Sequence, residues 1–235
     1  MANEARRIGL DFVAVTDHNT VSHHALLPAA AARTEVVMIP GQEVTTDGGH
    51  AACLGPMGWI DWREPVAEWL RAATRAGGLF SINHPTHPDC GWRRPVDFSP
   101  PAVEVWHGEW DRRSSEPFEW WLGHGGVPLG GSDFHRPGAG RRRLGRPTTW
   151  AELGDDDGGV LGALRAGRVA VSAGPRAPLV VRVESEIVVV DGDGTALASS
   201  DGKLRMVRGD MARMGSGSGP HRLVADDGTT LAFAP

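Results

Sequence analysis

The sequence predicts an α/β domain with a curved, barrel-like sheet, followed by a small antiparallel β module. Two observations support the first part. Strand-length apolar runs alternate with helical stretches over residues 1–173, and short histidine and carboxylate motifs close several of those runs. The third observation concerns residues 174–235, where helical periodicity gives way to short β-rich runs broken by Asp-Gly pairs, which favour hairpins.

Taken in order, ANEARRIG reads as the last turns of a helix and DFVAVTDH as a buried strand. VSHHALLPAAAART is helical, with Pro28 expected to disturb it, and VVMIPG, EVTT and HAACLG are three strands. Helix PVAEWLRAATRAGG leads to strand LFSINHP and a proline-rich loop. VEVWHG is a strand, EPFEWWLGHGG a helix, VPLGGSD and TTWAEL strands, and GGVLGALRAG a short helix. This alternation implies a largely parallel sheet. Beyond it come PLVVRVESEIVVVDGDG, KLRMVRGD and HRLVADDGTTLAF, with MARMGSGSGP reading as a linker. The tryptophans of the helices, Trp69, Trp120 and Trp121, are expected to pack against the sheet. Trp59, Trp62, Trp92 and Trp110 lie among turn residues, as rim packing or as the wall of a pocket.

Composition bounds the function. With 24 Lys and Arg against 29 Asp and Glu, the net charge of −5 excludes a globally basic grip on nucleic acid. The two cysteines, Cys53 and Cys90, are too few for a thiolate zinc site and read as buried thiols, so a metal would rest on histidine and carboxylate. No apolar stretch approaches a membrane span, and MANEARRIGLDF has no signal core, so the chain as given is expected to be cytoplasmic and without a membrane partner.

The chemistry-bearing motifs are Asp17-His18-Asn19 after FVAV, Glu43 in GQEV, His50 opening HAACLG, Asn83-His84-Pro85 after GLFSI, and Asp133-Phe134-His135 after PLGGS. Ligand-type side chains delivered from successive strand ends are how an α/β fold assembles a metal site. Outside the motifs, His23 and His24 read as surface residues on a helix and His87 as a loop residue. His124 and His221 carry no functional signal. His107 ends a strand and is expected to hydrogen-bond structurally, with substrate contact or proton transfer as the alternative. Arg136 could offer a planar fork to an anionic substrate or pair with a carboxylate. Arg141 to Arg143, with Arg146, form a basic patch that is either a solvated loop or an attractor of phosphate.

GLDFVAVTDHNT, GQEVTT followed by GH, INHP and GGSDFHRP together resemble the polymerase and histidinol phosphatase (PHP) superfamily of metal-dependent hydrolases. VTTDGGHAACLG, the Cys and Trp after the NHP loop, and VEVW resemble its CehA/McbA-type branch. The resemblance implies a distorted (β/α)7 barrel holding up to three divalent ions, zinc, manganese or iron. It makes Glu43 a carboxylate shared by two metals, with His50 and His84 completing the second metal's protein ligands. Asp133 would serve the first metal, His18 and His135 the third, and Asp17 would orient neighbouring groups. The sequence departs from the family pattern in lacking the initial strand with its HxH pair and the following aspartate turn. We therefore expect a truncated start, whose missing part could have carried a secretion signal.

The implied activity is hydrolysis of a small phosphoester by water that divalent ions activate. No side-chain nucleophile is evident, because GxSxG is absent and the cysteines lack a motif. Alternatives in the same class are a 5′–3′ exonuclease on short nucleic acids and a carboxylester or carbamate hydrolase. A catalytically inactive fragment or binding domain is the alternative outside it. Oligomeric state is not legible.

Overall fold

The computed structural model describes residues 1–138, 142–154, 158–215 and 219–235. The chain forms two compact units, one of Met1–Val105, Glu116–Val127 and Leu153–Arg168, the other of Trp106–Ser115, Pro128–Glu152 and Val169–Pro235. Arg141 and the middle of the predicted linker, residues 216–218, lie outside the described residues.

The first unit opens with helix α1 (Ala2–Ile8), closed by Gly9 in the left-handed region, whose N–H donates to Arg6 O while Leu10 N–H reaches Ala5 O. Strand β1 (Phe12–His18) buries Val13 and Val15 on one face. A 3-10 turn at Ser22–Leu26 then leads into α2 (Leu27–Thr34). Pro28 falls in the first turn of α2, where a missing N–H costs nothing, so it starts the helix instead of disturbing one.

Residues predicted as two strands form a single one, β2 (Val37–Thr46), running through Pro40, which pairs with Val15 and accepts the Gly55 N–H at 2.7 Å. β3 (Gly49–Leu54), α3 (Val66–Arg75), β4 (Leu79–Ile82), β5 (Ala102–His107), α4 (Glu116–His124) and β6 (Val127–Gly131) follow. The sheet order is β1-β2-β3-β4-β5-β6, with β1 at its edge.

One expectation changes here. β1–β2 and β4–β5 are parallel while β2–β3 and β3–β4 are antiparallel, so the sheet is mixed. The cause is Asp47-Gly48, a tight connection that can join only antiparallel neighbours. Among the described residues this sheet has six strands. Trp69 and Ala73 are the buried residues of α3, and Phe118 anchors α4 with Trp120 and Trp121 only half-buried. Gln42, fully buried, donates to Ile60 O at 2.7 Å and accepts the Ile60 N–H at 2.9 Å, fastening the loop after β3 to the sheet.

In the second unit, β7 (Thr148–Ala151) and β8 (Val169–Ser172), on either side of α5 (Gly159–Arg165) in the chain, are joined by β9 (Leu179–Val183), β10 (Glu186–Val190), β11 (Ala196–Ser199), β12 (Leu204–Met206), β13 (Met211–Gly215), β14 (His221–Val224) and β15 (Thr230–Ala234). They make a sheet of order β12-β11-β14-β15-β8-β7 and a three-stranded sheet β13-β10-β9, with antiparallel pairing throughout. The antiparallel pairing thus begins before residue 174. Part of the predicted linker is β13 itself. Alternating inward residues Val180, Ile187, Val189, Leu197, Leu223, Ala232 and Ala234 form the shared core.

His221 belongs to this buried interior. Burial, then the charges of Arg182 and Arg205, lower its pKa from the ordinary value. The unfolded chain therefore binds a proton that the folded one refuses, and stability falls as pH drops below about 6.5. Urea titrations at pH 7.5 and 5.5 are expected to show a lower midpoint at the acid pH, with a smaller difference in His221→Leu. An equal difference in the variant would place the pH sensitivity elsewhere.

Candidate metal centre

In the first unit the histidines of three motifs converge on one carboxylate. Parallel register sets His18 beside Glu43, and the β2–β3 hairpin sets His50 opposite Thr45, one step along the same face. Glu43 is 5% exposed, yet its Oε1 lies 3.2 Å from His50 Nδ1, 3.3 Å from His84 Nε2 and 3.2 Å from the Asn83 Nδ2 donor. Its Oε2 is 3.2 Å from His18 Nδ1. The rings meet edge-on, His18 to His50 at 5.6 Å and His50 to His84 at 5.0 Å.

Burial raises the Glu43 pKa, but hydrogen bonds from His50 and His84 and the nearby His18 outweigh it and hold the carboxyl well below the usual range. Glu43 is thus a buried carboxylate kept ionised. The Thr45 hydroxyl donates to Glu43 O at 3.2 Å, so its oxygen accepts from His18 Nδ1 at 2.6 Å. That assignment leaves the ring's lone pair on Nε2, on a side chain 45% exposed.

Backbone strain marks the same places. Asn19, His84 and Asp133 are non-glycine residues with φ of 53°, 29° and 46°. His84 is held there by Glu104, a buried carboxylate in β5 that accepts its backbone N–H at 2.7 Å. Asn19 exchanges two hydrogen bonds with Thr45, donating to its O and accepting its N–H, both at 2.9 Å.

Several sequence readings are corrected. Asp17 faces His23 Nδ1 at 3.1 Å and is largely exposed, so the neighbour it meets is a helix-side histidine outside the motifs. His23 and His24 are half-buried, each with a ring nitrogen 3.0 Å from a sheet carbonyl, Val15 O and Gly41 O. Cys90 is not an isolated thiol, because its Sγ lies between His84 and His87. Trp92 is buried whereas Trp59 and Trp62 are exposed. Trp59 lines an open cavity of about 650 Å³ between residues 56–64 and α3, whose lining contains no motif residue.

The cysteines should differ in reactivity. Burial pushes the Cys53 thiol up to about 12, while Cys90 is half-buried. At pH 8 a thiol reagent is expected to modify Cys90 alone in the native chain, with Cys53 reacting only on unfolding. A fast phase that persisted in Cys90→Ser would contradict this.

The second unit gathers a smaller polar group. Asp133 Oδ2 lies 3.1 Å from His107 Nε2 and 2.7 Å from Arg142 Nη1, and His135 Nδ1 lies 2.9 Å from Asp133 O. Arg142 also donates to Glu109 Oε2 at 3.0 Å. His107 Nδ1 accepts the Glu109 N–H at 3.2 Å, which puts the ring proton on Nε2, where it donates to Asp133. Gly108 permits this turn, since a Cβ there would come within 2.4 Å of Ser132 O. Arg136 is exposed, and the guanidinium on Asp133 is that of Arg142.

No protein-family model and no curated protein matches the chain. Among solved structures, it is similar to a two-domain protein from Bacteroides vulgatus containing a predicted PHP-like metal-dependent phosphoesterase. The TM-score is 0.61 at 17% identity, over 99% of this chain and 80% of that one. The likeness is one of fold. A looser likeness, with a TM-score of 0.44 at 16% identity over 57% of this chain and 81% of the other, links it to a proposed metal-dependent phosphoesterase from Bifidobacterium adolescentis and carries no argument. The likeness agrees with the sequence motifs at the level of architecture. The donors of His18, Glu43 and His50 all lie within 4.8 Å of one another, and a buried anion among imidazoles is a donor set that fits a divalent cation.

Proposed function

We propose that the chain is a divalent-metal-dependent phosphoesterase of the CehA/McbA-type branch, acting on a small phosphoester. The observation that carries the reading is Glu43, buried and ionised with His18, His50 and His84 around it. A buried anion without a cation partner is costly, and among the described residues histidines and Asn83 offset it. A divalent ion held by these residues supplies Lewis-acid polarisation of the phosphoryl oxygen and lowers the pKa of water.

The remaining roles belong to the chain's own groups. Glu43 supplies negative charge, Asn83 orients it, and Glu104 fixes the His84 backbone. His18 is the most exposed of the four and faces incoming substrate. Asp133 and His135 are proposed as further ligands on the sequence resemblance. His107, its Nε2 proton committed to Asp133, orients that carboxylate, and exposed Arg136 is the candidate for contact with the phosphoryl group.

The test is chelator-sensitive hydrolysis of 4-nitrophenyl phosphate and bis(4-nitrophenyl) phosphate, alongside elemental analysis of the purified chain. Cleavage that follows metal content is expected. A folded chain that holds no divalent ion, or that cleaves only neutral aryl esters, would overturn the reading.

A further inference from the structure

The loop after β4 delivers a thiol to the histidines of the centre. Cys90 Sγ is 3.6 Å from His84 Nδ1 and 3.3 Å from His87 Nδ1, and donor atoms of His50, His84 and Cys90 lie within 4.8 Å of one another. The rings of His84 and His87 meet edge-on at 5.9 Å.

Backbone bonds set this position independently of the thiol. His87 N–H donates to His84 O, Gly91 N–H to His87 O and Trp92 N–H to Pro85 O, each at 2.9 Å. A Cβ at residue 91 would come within 2.5 Å of His87 O and 2.7 Å of Pro85 O, so only glycine closes the turn. Buried Trp92 anchors its far end. Cys90 is therefore carried to His84 by a loop wound for that purpose.

The spacing suits coordination. Bonds of about 2.05 Å to nitrogen and 2.3 Å to sulfur at a tetrahedral angle place the two donors about 3.6 Å apart. The Cys90–His84 separation is 3.6 Å. His84 Nε2 meanwhile lies on the Glu43 side at 3.3 Å, the arrangement in which a carboxylate holds a metal-bound imidazole by its other nitrogen.

We propose that Cys90 is a metal ligand, joining His50 and His84 in a nitrogen–sulfur site for a borderline-soft divalent ion, zinc foremost. The inference rests on the metal-binding reading of the Glu43 cluster and refines it: the ion meets His84 at Nδ1, Glu43 holds the ring's Nε2, and the thiolate adds a donor that oxygen- and nitrogen-only chemistry lacks. On binding, the S–H proton leaves to solvent and the thiolate sulfur donates to the ion. A thiolate disfavours magnesium and calcium at this position.

Cobalt(II) distinguishes the possibilities, because a thiolate–cobalt bond produces a near-ultraviolet charge-transfer band that nitrogen and oxygen ligands do not. The metal-stripped full chain is loaded with cobalt, its bound cobalt counted, and its spectrum compared with those of Cys90→Ser and Cys53→Ala. The band is expected in the parent chain and in Cys53→Ala, and absent from Cys90→Ser. Cobalt should also protect Cys90 from iodoacetamide in the unsubstituted chain, a readout that needs no variant to fold. Bound cobalt without the band, or a band that survives Cys90→Ser, overturns the ligand assignment and leaves the Glu43 reading standing. A folded parent chain that binds no cobalt overturns both.

Discussion

Glu43→Gln is expected to lower bound divalent metal to below about a tenth of the parent value and phosphoesterase activity by about 10²–10³-fold. The substitution keeps the size of the side chain and removes only its charge. The parent carboxylate is buried and held in its ionised form by His50, His84 and His18, whereas the amide brings N–H donors to face imidazoles and Asn83. Because His18 and Thr45 already share a hydrogen bond, the hairpin face should persist and the circular dichroism spectrum remain unchanged. Elemental analysis and initial rates on one preparation check the result. Full metal retention in a folded Gln variant would move the site away from Glu43. Asn83→Ala, which removes a hydrogen bond to the same oxygen, should show a smaller effect of about 10–100-fold.

Trp69→Ala is expected to destabilise the first unit by about 3–5 kcal/mol. Trp69 is fully buried on α3, its indole N–H donates to Asp61 O at 3.1 Å, and the Arg94 guanidinium sits 5.3 Å from its ring centre. Truncation opens a large cavity and also leaves the carbonyl of half-buried Asp61 with one donor fewer. The melting temperature should fall by roughly 10 °C, with Trp69→Phe recovering most of the loss. A shift of a degree or two for the alanine variant would show that the site collapses around the vacancy.

The cluster was legible because its members punctuate apolar runs. His18 and His84 follow the runs of β1 and β4, His50 opens that of β3 and Glu43 lies near the end of β2, and the mixed sheet brings these positions together. What escaped depends on contacts remote in sequence. Glu104 reads as one polar residue in AVEVWH, and only its acceptance of the His84 N–H gives it a role. Arg142 belongs to a basic run whose sequence does not reveal which member reaches Asp133. Cys90 has no ligand motif, and its neighbours are set by a glycine turn. The antiparallel course of β2 and β3 was readable from Asp47-Gly48, the same signal that located the hairpins after Gly174. It was overridden by the expectation of a parallel sheet.

The sheet order of the second unit bears on how the chain must be made. β15 lies between β14 and β8, and Thr230 N–H donates to Arg112 O at 2.9 Å. On the ribosome, β8 waits while about sixty residues are synthesised before its partner β15 emerges, so this sheet is completed late, by a pairing remote in sequence. Loss of β15 would remove an interior strand and bare the edges of β14 and β8, leaving an open template for pairing with other chains.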